Sequence, residues 1–585
     1  MTKTILAAIN SRYNHTCLAV RSICEYVKAN LENAEITFVE YTINQSLLDI
    51  LSDLNARITE GSGSACRLLF SVYIWNVEIT LKIIHELKKI FPELIIACGG
   101  PEVSFRSKEF LLEERDVDYV MCGEGEQTVL EIIKNDFEKT GLLPDGLCYR
   151  KENQILYSKE REVMCQLDFL PFPYPDLEKE KNKIFYYESS RGCPYSCAYC
   201  LSSIDKRVRF MSLERTLLDI QRFFDAKVPL VKFVDRTFNI NEKRYIKIWQ
   251  YIISHWNGIT TMHFEIAAQT LSDQALELLQ TMPEDCVQFE IGVQSIHEKT
   301  LAASGRKADT LLIAERVKKI PKAIYVHLDL IAGLPYENLA DFKKSFDFTI
   351  SLKPGMLQLG FLKILSGTAM EVFAKEYKDY KYLKSSPYEI IQTPWMSFSD
   401  LCYLKKIEKV LDAFYNSGNF KHLMDYLIDS LCNYSSIQSV EEVSGKKGMF
   451  DLFSEILLLE KDNDLHNPAY YYELMNEYIT RLSQKSESKV NAKIMYELLR
   501  LDYLLQKKCS AFPSWYKHNY SKEKHHQALL LHTDMQSTRL EYAHSEYEEF
   551  SIDFESRRLL PEGKMQALLI LYKDKERKII RLQND

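Results

Sequence analysis

The stretch Arg191-Gly192-Cys193-Pro194-Tyr195-Ser196-Cys197-Ala198-Tyr199-Cys200 decides the reading of this chain. Its three thiols can converge on one inorganic centre only if the backbone is a loop, which Gly192 and Pro194 favour. A four-iron four-sulfur (4Fe-4S) cluster takes thiolate ligands, usually four. With three thiols nearby, one iron stays open to a substrate or cofactor. Structural zinc is the competing reading. It wants four ligands, commonly paired Cys-x-x-Cys units or Cys/His mixtures, and no His or fourth Cys lies close. On spacing alone the two stand nearly level.

Outward from the loop, the chain divides into segments. Apolar runs at 185–189, 231–235, 263–267, 289–293, 325–332 and 357–365 alternate with helical patterns such as 213–226 and 273–280. Six βα repeats predict a partial (β/α)6 barrel over 183–370, with its site at the C-terminal strand ends. Ahead of it, 151–182 reads as a linker, because Leu167–Asp176 (LDFLPFPYPD) holds three prolines. Residues 1–150 carry strand patterns at 4–9, 36–41, 68–75, 94–98 and 119–122 with helical patterns between. That alternation predicts a five-stranded, doubly wound, Rossmann-like parallel sheet, an α/β fold with ligands at the carboxyl ends of its strands. Residues 371–585 read as a mostly helical domain with a hairpin near the end.

The 585 residues are 46% hydrophobic and 27% charged, which excludes a disordered or fibrous chain. Lys plus Arg number 74 and Asp plus Glu 82, a net charge of −8 with no general pull toward nucleic acid or anionic membrane. No apolar run is long enough to span a bilayer. The opening MTKTILAAINSRYNH turns polar at Asn10 and reads as a first strand, not an export signal. The expected location is cytoplasmic. In that reducing setting a disulfide framework is a poor explanation for fourteen cysteines, and those outside the loop, Cys509 among them, are scattered singly.

Cys-x-x-x-Cys-x-aromatic-Cys, with Tyr199 before the third thiol, resembles the signature of radical S-adenosylmethionine (SAM) enzymes, and it follows the first barrel strand as it does there. The resemblance implies a 4Fe-4S cluster on Cys193, Cys197 and Cys200 and SAM on the fourth iron. The cleaved SAM would yield a 5′-deoxyadenosyl radical that takes hydrogen from substrate. It further implies that Asp235 and Arg236 end the strand that grips the SAM amino group. Glu265 lies on the third strand, and Gln294 and Ser295 are candidates for the ribose or carboxylate of SAM. Asp329 to Pro335 resembles the fifth-strand motif that meets adenine. Leu365 belongs to the sixth-strand motif, with Ser366 where proline is common.

The N-terminal domain resembles cobalamin-binding domains through three segments: Ser71, Tyr73, Trp75 and Asn76; Gly99, Gly100 and Glu102; and Gly123 to Glu126 with Glu124. The pattern Asp-x-His-x-x-Gly fails around His15, where Tyr13 and Leu18 stand at the Asp and Gly places, so a histidine ligand to cobalt is not implied. The resemblance covers about residues 1–370, and the rest resembles an uncharacterised extension found on some members. It implies a cobalamin-dependent radical SAM enzyme, with methylation of an unactivated carbon as the expected reaction. The substrate is a small molecule or peptide, and an electron donor such as flavodoxin or ferredoxin is expected. Rearrangement, cyclisation or oxidation without methyl transfer is the alternative, and a non-catalytic zinc-stabilised binding protein the third. In the C-terminal region, Lys517, His518, His525, His526 and His532 read as a solvated polar face.

Overall fold

The first strand, β1 (Lys3–Asn10, KTILAAIN), is apolar on both faces and is buried from Thr4 to Asn10, as a central parallel strand requires. The structure is a computed structural model, and it describes residues 2–60, 66–136, 140–152, 154–180, 182–432, 447–460, 468–484, 489–506, 512–532, 544–573 and 576–583. Cys509 lies outside them. β1 pairs in parallel with β2 (Ile36–Thr42) and β3 (Cys66–Ser71), and β3 carries β4 (Ile95–Gly99) and then β5 (Tyr119–Met121). These are the five expected strands, in the order β2-β1-β3-β4-β5.

The sheet does not stop there. β6 (Leu147–Lys151) and β7 (Gln154–Tyr157) add an antiparallel hairpin, making seven strands. The hairpin takes in the start of the stretch read as linker. Its apolar content is small: among its described residues only Leu147 and Cys148 are fully buried, too short a run for periodicity to register. Beyond it, Arg21 is 2% exposed and pairs with Glu40 and, at 2.7 Å, with Glu180, tying the first helix to the connector.

The second sheet runs β15-β14-β13-β12-β11-β8, where β8 is Ile184–Tyr187, β11 Leu230–Phe233, β12 Thr261–Glu265, β13 Val287–Gln294, β14 Tyr325–Ala332 and β15 Met356–Phe361. The order follows the chain, so this is the six-stranded partial barrel expected. A two-strand ribbon, β9 (Ser190–Arg191) with β10 (Arg209–Phe210), brackets the cysteine loop. Strand residues alternate: Phe185, Tyr187, Phe233, Phe264 and Phe289 are buried against Phe223, Phe238 and Trp249 of the surrounding helical layer. Each such ring contributes roughly 1.5–3 kcal/mol by leaving water. The opposite alternation points into the barrel and is polar.

After β15 the chain forms a short ribbon, β16 (Lys381–Tyr382) with β17 (Ile390–Gln392). Between them, Tyr388 donates its hydroxyl to Glu102 and Ser386 donates to the Ile74 carbonyl, so this segment straps the N-terminal sheet's strand ends.

The chain divides into two compact units: 1–339 with 359–401, and 340–358 with 402–585. The second unit is helical, through Lys421–Leu431, Met449–Leu459, Pro468–Ser483 and Ala492–Leu504. It ends in an antiparallel sheet, β18 (Ser545–Phe550), β19 (Gln566–Lys573) and β20 (Glu576–Gln583), where a hairpin was expected. Buried Asp502 accepts from the backbone of His422 and Leu423, capping a helix start. The histidine group is not wholly solvated. His525 is 3% exposed, meets Ser545 Oγ at 2.9 Å, and burial pushes its pKa down to about 4. Among the described residues, no helix is long and apolar enough to cross a membrane.

Candidate active site

Two glycines shape the cysteine loop. Gly192 has φ +88, and a side chain there would run into the Arg207 backbone; Gly305 has φ +66, and a side chain there would run into the carbonyl of Ser196. The loop is pinned from three sides. Cys193 N–H donates to Asp205 O at 3.0 Å, Ala198 N–H to Ser304 O at 2.9 Å, and Met370 N–H to Ala198 O at 2.8 Å. The result places Cys193, Cys197 and Cys200 on one cavity of about 220 Å³ together with Tyr199, Arg236, Glu265, Gln294, Arg306 and Asp329. None of the three is in a disulfide. Burial, then the neighbouring thiolates, push the Cys193 thiol up; Thr237, 3.7 Å away, works against them. Thiols held so close favour a positive inorganic core that takes up their charge.

Gln294 reaches this cavity through a bulge. The β13–β14 register slips between Gly292 and Gln294, Gln294 takes φ +71, and a Cβ on Gly292 would collide with its side chain. The bulge turns Gln294 inward while Ser295 is fully buried elsewhere, donating to Glu337 at 2.6 Å. Gln294 Oε1 and Tyr199 Oη, both on residues lining the cavity, are buried with no hydrogen-bond partner. Orphaned buried polar atoms are rare and mark a place where a ligand completes the network. Arg306 donates to the Gly292 carbonyl and lies 3.9 Å from Cys197 Sγ. Burial raises Glu265 to about 7, with repulsion from Glu290 and Asp329 adding to it and Arg236 opposing it. A cationic group entering the cavity would ionise it.

A second cavity, of about 510 Å³, lies between the carboxyl ends of the N-terminal sheet and the barrel. The two aromatics Tyr73 and Trp75 stack at 4.4 Å along its wall, and Cys17, Glu124, Gly125, Tyr186, Glu188, Arg191 and Arg236 line the rest. An adjoining cleft of about 860 Å³ shares Glu124, Glu188, Arg191 and Arg236 and adds Gly100 and Gly123. At Gly100, φ is +112 and a Cβ would sit 2.5 Å from the Val72 carbonyl, so only glycine lets these two strand ends meet. Continuous space with an aromatic wall and glycine turns fits a flat macrocycle with a long tail. His15 lines this cavity, with Nδ1 2.9 Å from Tyr186 Oη, and burial lowers its pKa. Arg191 bridges the cavity's two walls, pairing with Glu126 at 2.6 Å, Glu188 at 2.8 Å and Glu124 at 3.4 Å.

Of the residues singled out in the sequence, the structure gathers Cys193, Cys197, Cys200, Tyr199, Arg236, Glu265 and Gln294 on the first cavity. Tyr73, Trp75 and Glu124 stand on the second, and Gly100 on the cleft. The others brace these walls. Asp235 is 1% exposed and accepts from Ser189 N–H, Ser189 Oγ and Ser190 Oγ at 2.6–2.9 Å, holding the strand that leads into the loop. Asn76 accepts from Tyr73 N–H and donates to the carbonyls of Ile9 and Ser71. Ser71 pairs with Gly99 in the ladder. Glu102 takes the Tyr388 hydroxyl. The Leu365 carbonyl accepts from the Thr368 hydroxyl at 2.7 Å, and the same hydroxyl caps the helix Ala369–Glu376 by accepting from Glu371 N–H. Arg191 and Arg306 were not singled out in the sequence. Each is a lone arginine beside a glycine, and that is the only local signal they carry.

Fold and site together define a radical SAM barrel joined to a corrinoid-type Rossmann domain. Family models match as a B12 binding domain at 5–133, the radical SAM superfamily at 187–349 and a protein of unknown function, DUF4080, at 375–556. Residues 187–349 thus carry a radical SAM domain, with a B12 binding domain ahead of it at 5–133. An uncharacterised methyltransferase of Pyrococcus horikoshii is 26% identical over 49% of this chain and 64% of its own length. The cobalamin-dependent radical SAM methyltransferase TokK of Streptomyces tokunonensis is 24% identical over 47% of this chain and 43% of its own. The chain thus spans less than two thirds of these relatives. The solved structure of OxsB with aqua-cobalamin and SAM has TM-score 0.59 at 14% identity, covering 92% of this chain and 82% of that one. TsrM of Kitasatospora setae, with cobalamin and a [4Fe-4S] cluster bound, has TM-score 0.58 at 14% identity, covering 78% and 100%. At that identity the likeness is one of fold.

Proposed function

We propose that this protein is a cobalamin-dependent radical SAM methyltransferase acting on an unactivated carbon. The observation that carries the reading is Arg236, which stands on the wall of both the three-cysteine cavity and the aromatic-walled cavity, so groups bound in the two would meet at one side chain. Bound there, a four-iron cluster with SAM supplies a 5′-deoxyadenosyl radical on one-electron reduction, and cobalamin supplies a transferable methyl group. The chain's own residues hold and orient. Cys193, Cys197 and Cys200 ligate three irons. Arg306 offers a guanidinium to the SAM carboxylate, and Glu265 a carboxylate to its amino group. Gln294 Oε1 and Tyr199 Oη gain the partners they lack. Tyr73 and Trp75 close the corrin side and exclude water. The shared wall brings donor and acceptor carbon together, and that proximity lowers the barrier to transfer. The substrate and a donor such as flavodoxin or ferredoxin enter from outside.

The test is anaerobic expression with added cobalamin. Purified chain should carry about four irons with labile sulfide and a corrinoid spectrum. With reductant and SAM it should form 5′-deoxyadenosine, and Cys197→Ala should lose both iron and that product. Iron-free protein ends the reading, and cluster without corrinoid ends the methyltransferase part of it.

A further inference from the structure

The inner face of a (β/α) barrel is ordinarily filled by branched apolar side chains. Here alternate residues of three adjacent strands are titratable: His263 and Glu265 on β12, Glu290 on β13, and His327 and Asp329 on β14. The ladder sets Glu265 beside Glu290, and Glu290 beside His327. Glu290 and Asp329 line the three-cysteine cavity; His327 stands behind them. SAM can occupy up to two of these carboxylates, through its ammonium group and its ribose hydroxyls. At least one carboxylate and both imidazoles are left over.

From this arrangement we infer a divalent transition-metal site formed by Glu290, His327 and Asp329. One nitrogen or oxygen from each lies within 4.8 Å of the others. The decisive detail is the His327–Asp329 pair. Nε2 and Oδ1 are 3.0 Å apart, yet both atoms are buried and neither makes a hydrogen bond, because the ring N–H axis does not point at the oxygen. A relay pair would be aligned. Two ligands at right angles on one ion, each about 2.1 Å from it, are about 3.0 Å apart with the nitrogen axis turned aside toward the metal. His263, 6% exposed, meets Glu290 Oε2 through Nε2 at 3.1 Å, the outer hydrogen bond that orients a ligating carboxylate. One imidazole with two carboxylates suits Mn(II), Fe(II) or Zn(II) rather than a thiophilic ion. Open positions on such an ion would face the cavity, where they can take an oxygen of the substrate.

The test uses the full chain with its cluster installed anaerobically, titrated with Mn(II) and read by the electron paramagnetic resonance of the free ion, with Zn(II) as competitor. One Mn(II) should bind per chain, and Zn(II) should displace it. His327→Gln and Asp329→Asn should each lose binding, and His263→Gln should weaken it about 10–100-fold. Thermal melts and an unchanged cluster spectrum show that the variants are folded. The chain with Cys193, Cys197 and Cys200 all replaced by Ala should keep the ion. Absence of a stoichiometric ion, binding that survives His327→Gln and Asp329→Asn, or binding lost only with the cysteines overturns the site. The cluster and SAM readouts are separate, so failure here leaves the methyltransferase proposal standing, and the reverse holds too.

Discussion

Arg191→Met tests how the cavity between sheet and barrel is held. The Arg191 side chain is 13% exposed and its partner Glu126 6% exposed. Removing one partner of such a pair strands a buried charge, at a cost of about 3–5 kcal/mol. At roughly 2 °C per kcal/mol for a unit of this size, the melting temperature should fall by about 6–10 °C. The loss should depend on pH. Burial works to raise the Glu126 carboxyl, but Arg191 and Ser22 override it and hold it below its usual value. In the native chain its contribution is therefore present above the unfolded carboxylate pKa of about 4.3 and is lost as pH falls through the lower folded one. In the variant burial wins, the folded pKa rises above the unfolded one, and protonation now relieves the stranded charge. Burial already raises Glu188, and Arg191 is what opposes it, so Glu188 acts in the same sense. The difference in melting temperature between wild type and variant should thus be largest near about pH 8 and shrink toward about pH 5. Arg191→Lys should recover part of it, keeping the charge but not the planar fork. A difference equal at both pH values would refute the argument, as would one too small to resolve at either.

Arg306→Gln should weaken SAM binding about 10–150-fold in equilibrium dialysis, the worth of a charged hydrogen bond, while iron content stays constant. Glu265→Gln should melt higher than wild type near about pH 8 and alike near about pH 5. The raised pKa of about 7 means that ionised Glu265 costs stability as pH rises through that value. Gly100→Ala should cost about 1–3 kcal/mol in backbone strain alone and should lower the corrinoid retained after gel filtration, because its Cβ meets the Val72 carbonyl.

The layered architecture was legible because strand and helix periods repeat cleanly over β1 to β5 and again over β8 and β11 to β15, and the cysteine loop was legible because three thiols, a glycine and a proline crowd together. Other features depend on distance in space. Asp235 reads as a ligand at a strand end, and only burial shows that Ser189 and Ser190 have taken its oxygens. Gln294 and Ser295 are neighbours of similar polarity, and a bulge that no composition rule announces sends one into the cavity and the other away from it. Arg306 looks like any loop arginine until the fold brings it to Cys197 from more than a hundred residues away. The β6–β7 hairpin has two buried residues to declare itself, against the run of five or six that marks a central strand.

The boundary between the two compact units has a practical cost. Residues 340–358 belong with the helical unit although β14 before them and β15, whose first three residues they include, belong to the barrel sheet. Phe342, Phe346 and Phe348 on that segment are all but sealed from water, and Phe346 meets Phe450 and Phe453 edge-on at 5.5 and 5.9 Å. A fragment ending soon after the barrel would therefore keep the helix Leu339–Ser351 while discarding the rings that cover it, leaving a sticky aromatic strip. Recombination or crystallography by parts should cut elsewhere, or replace those phenylalanines with polar residues first.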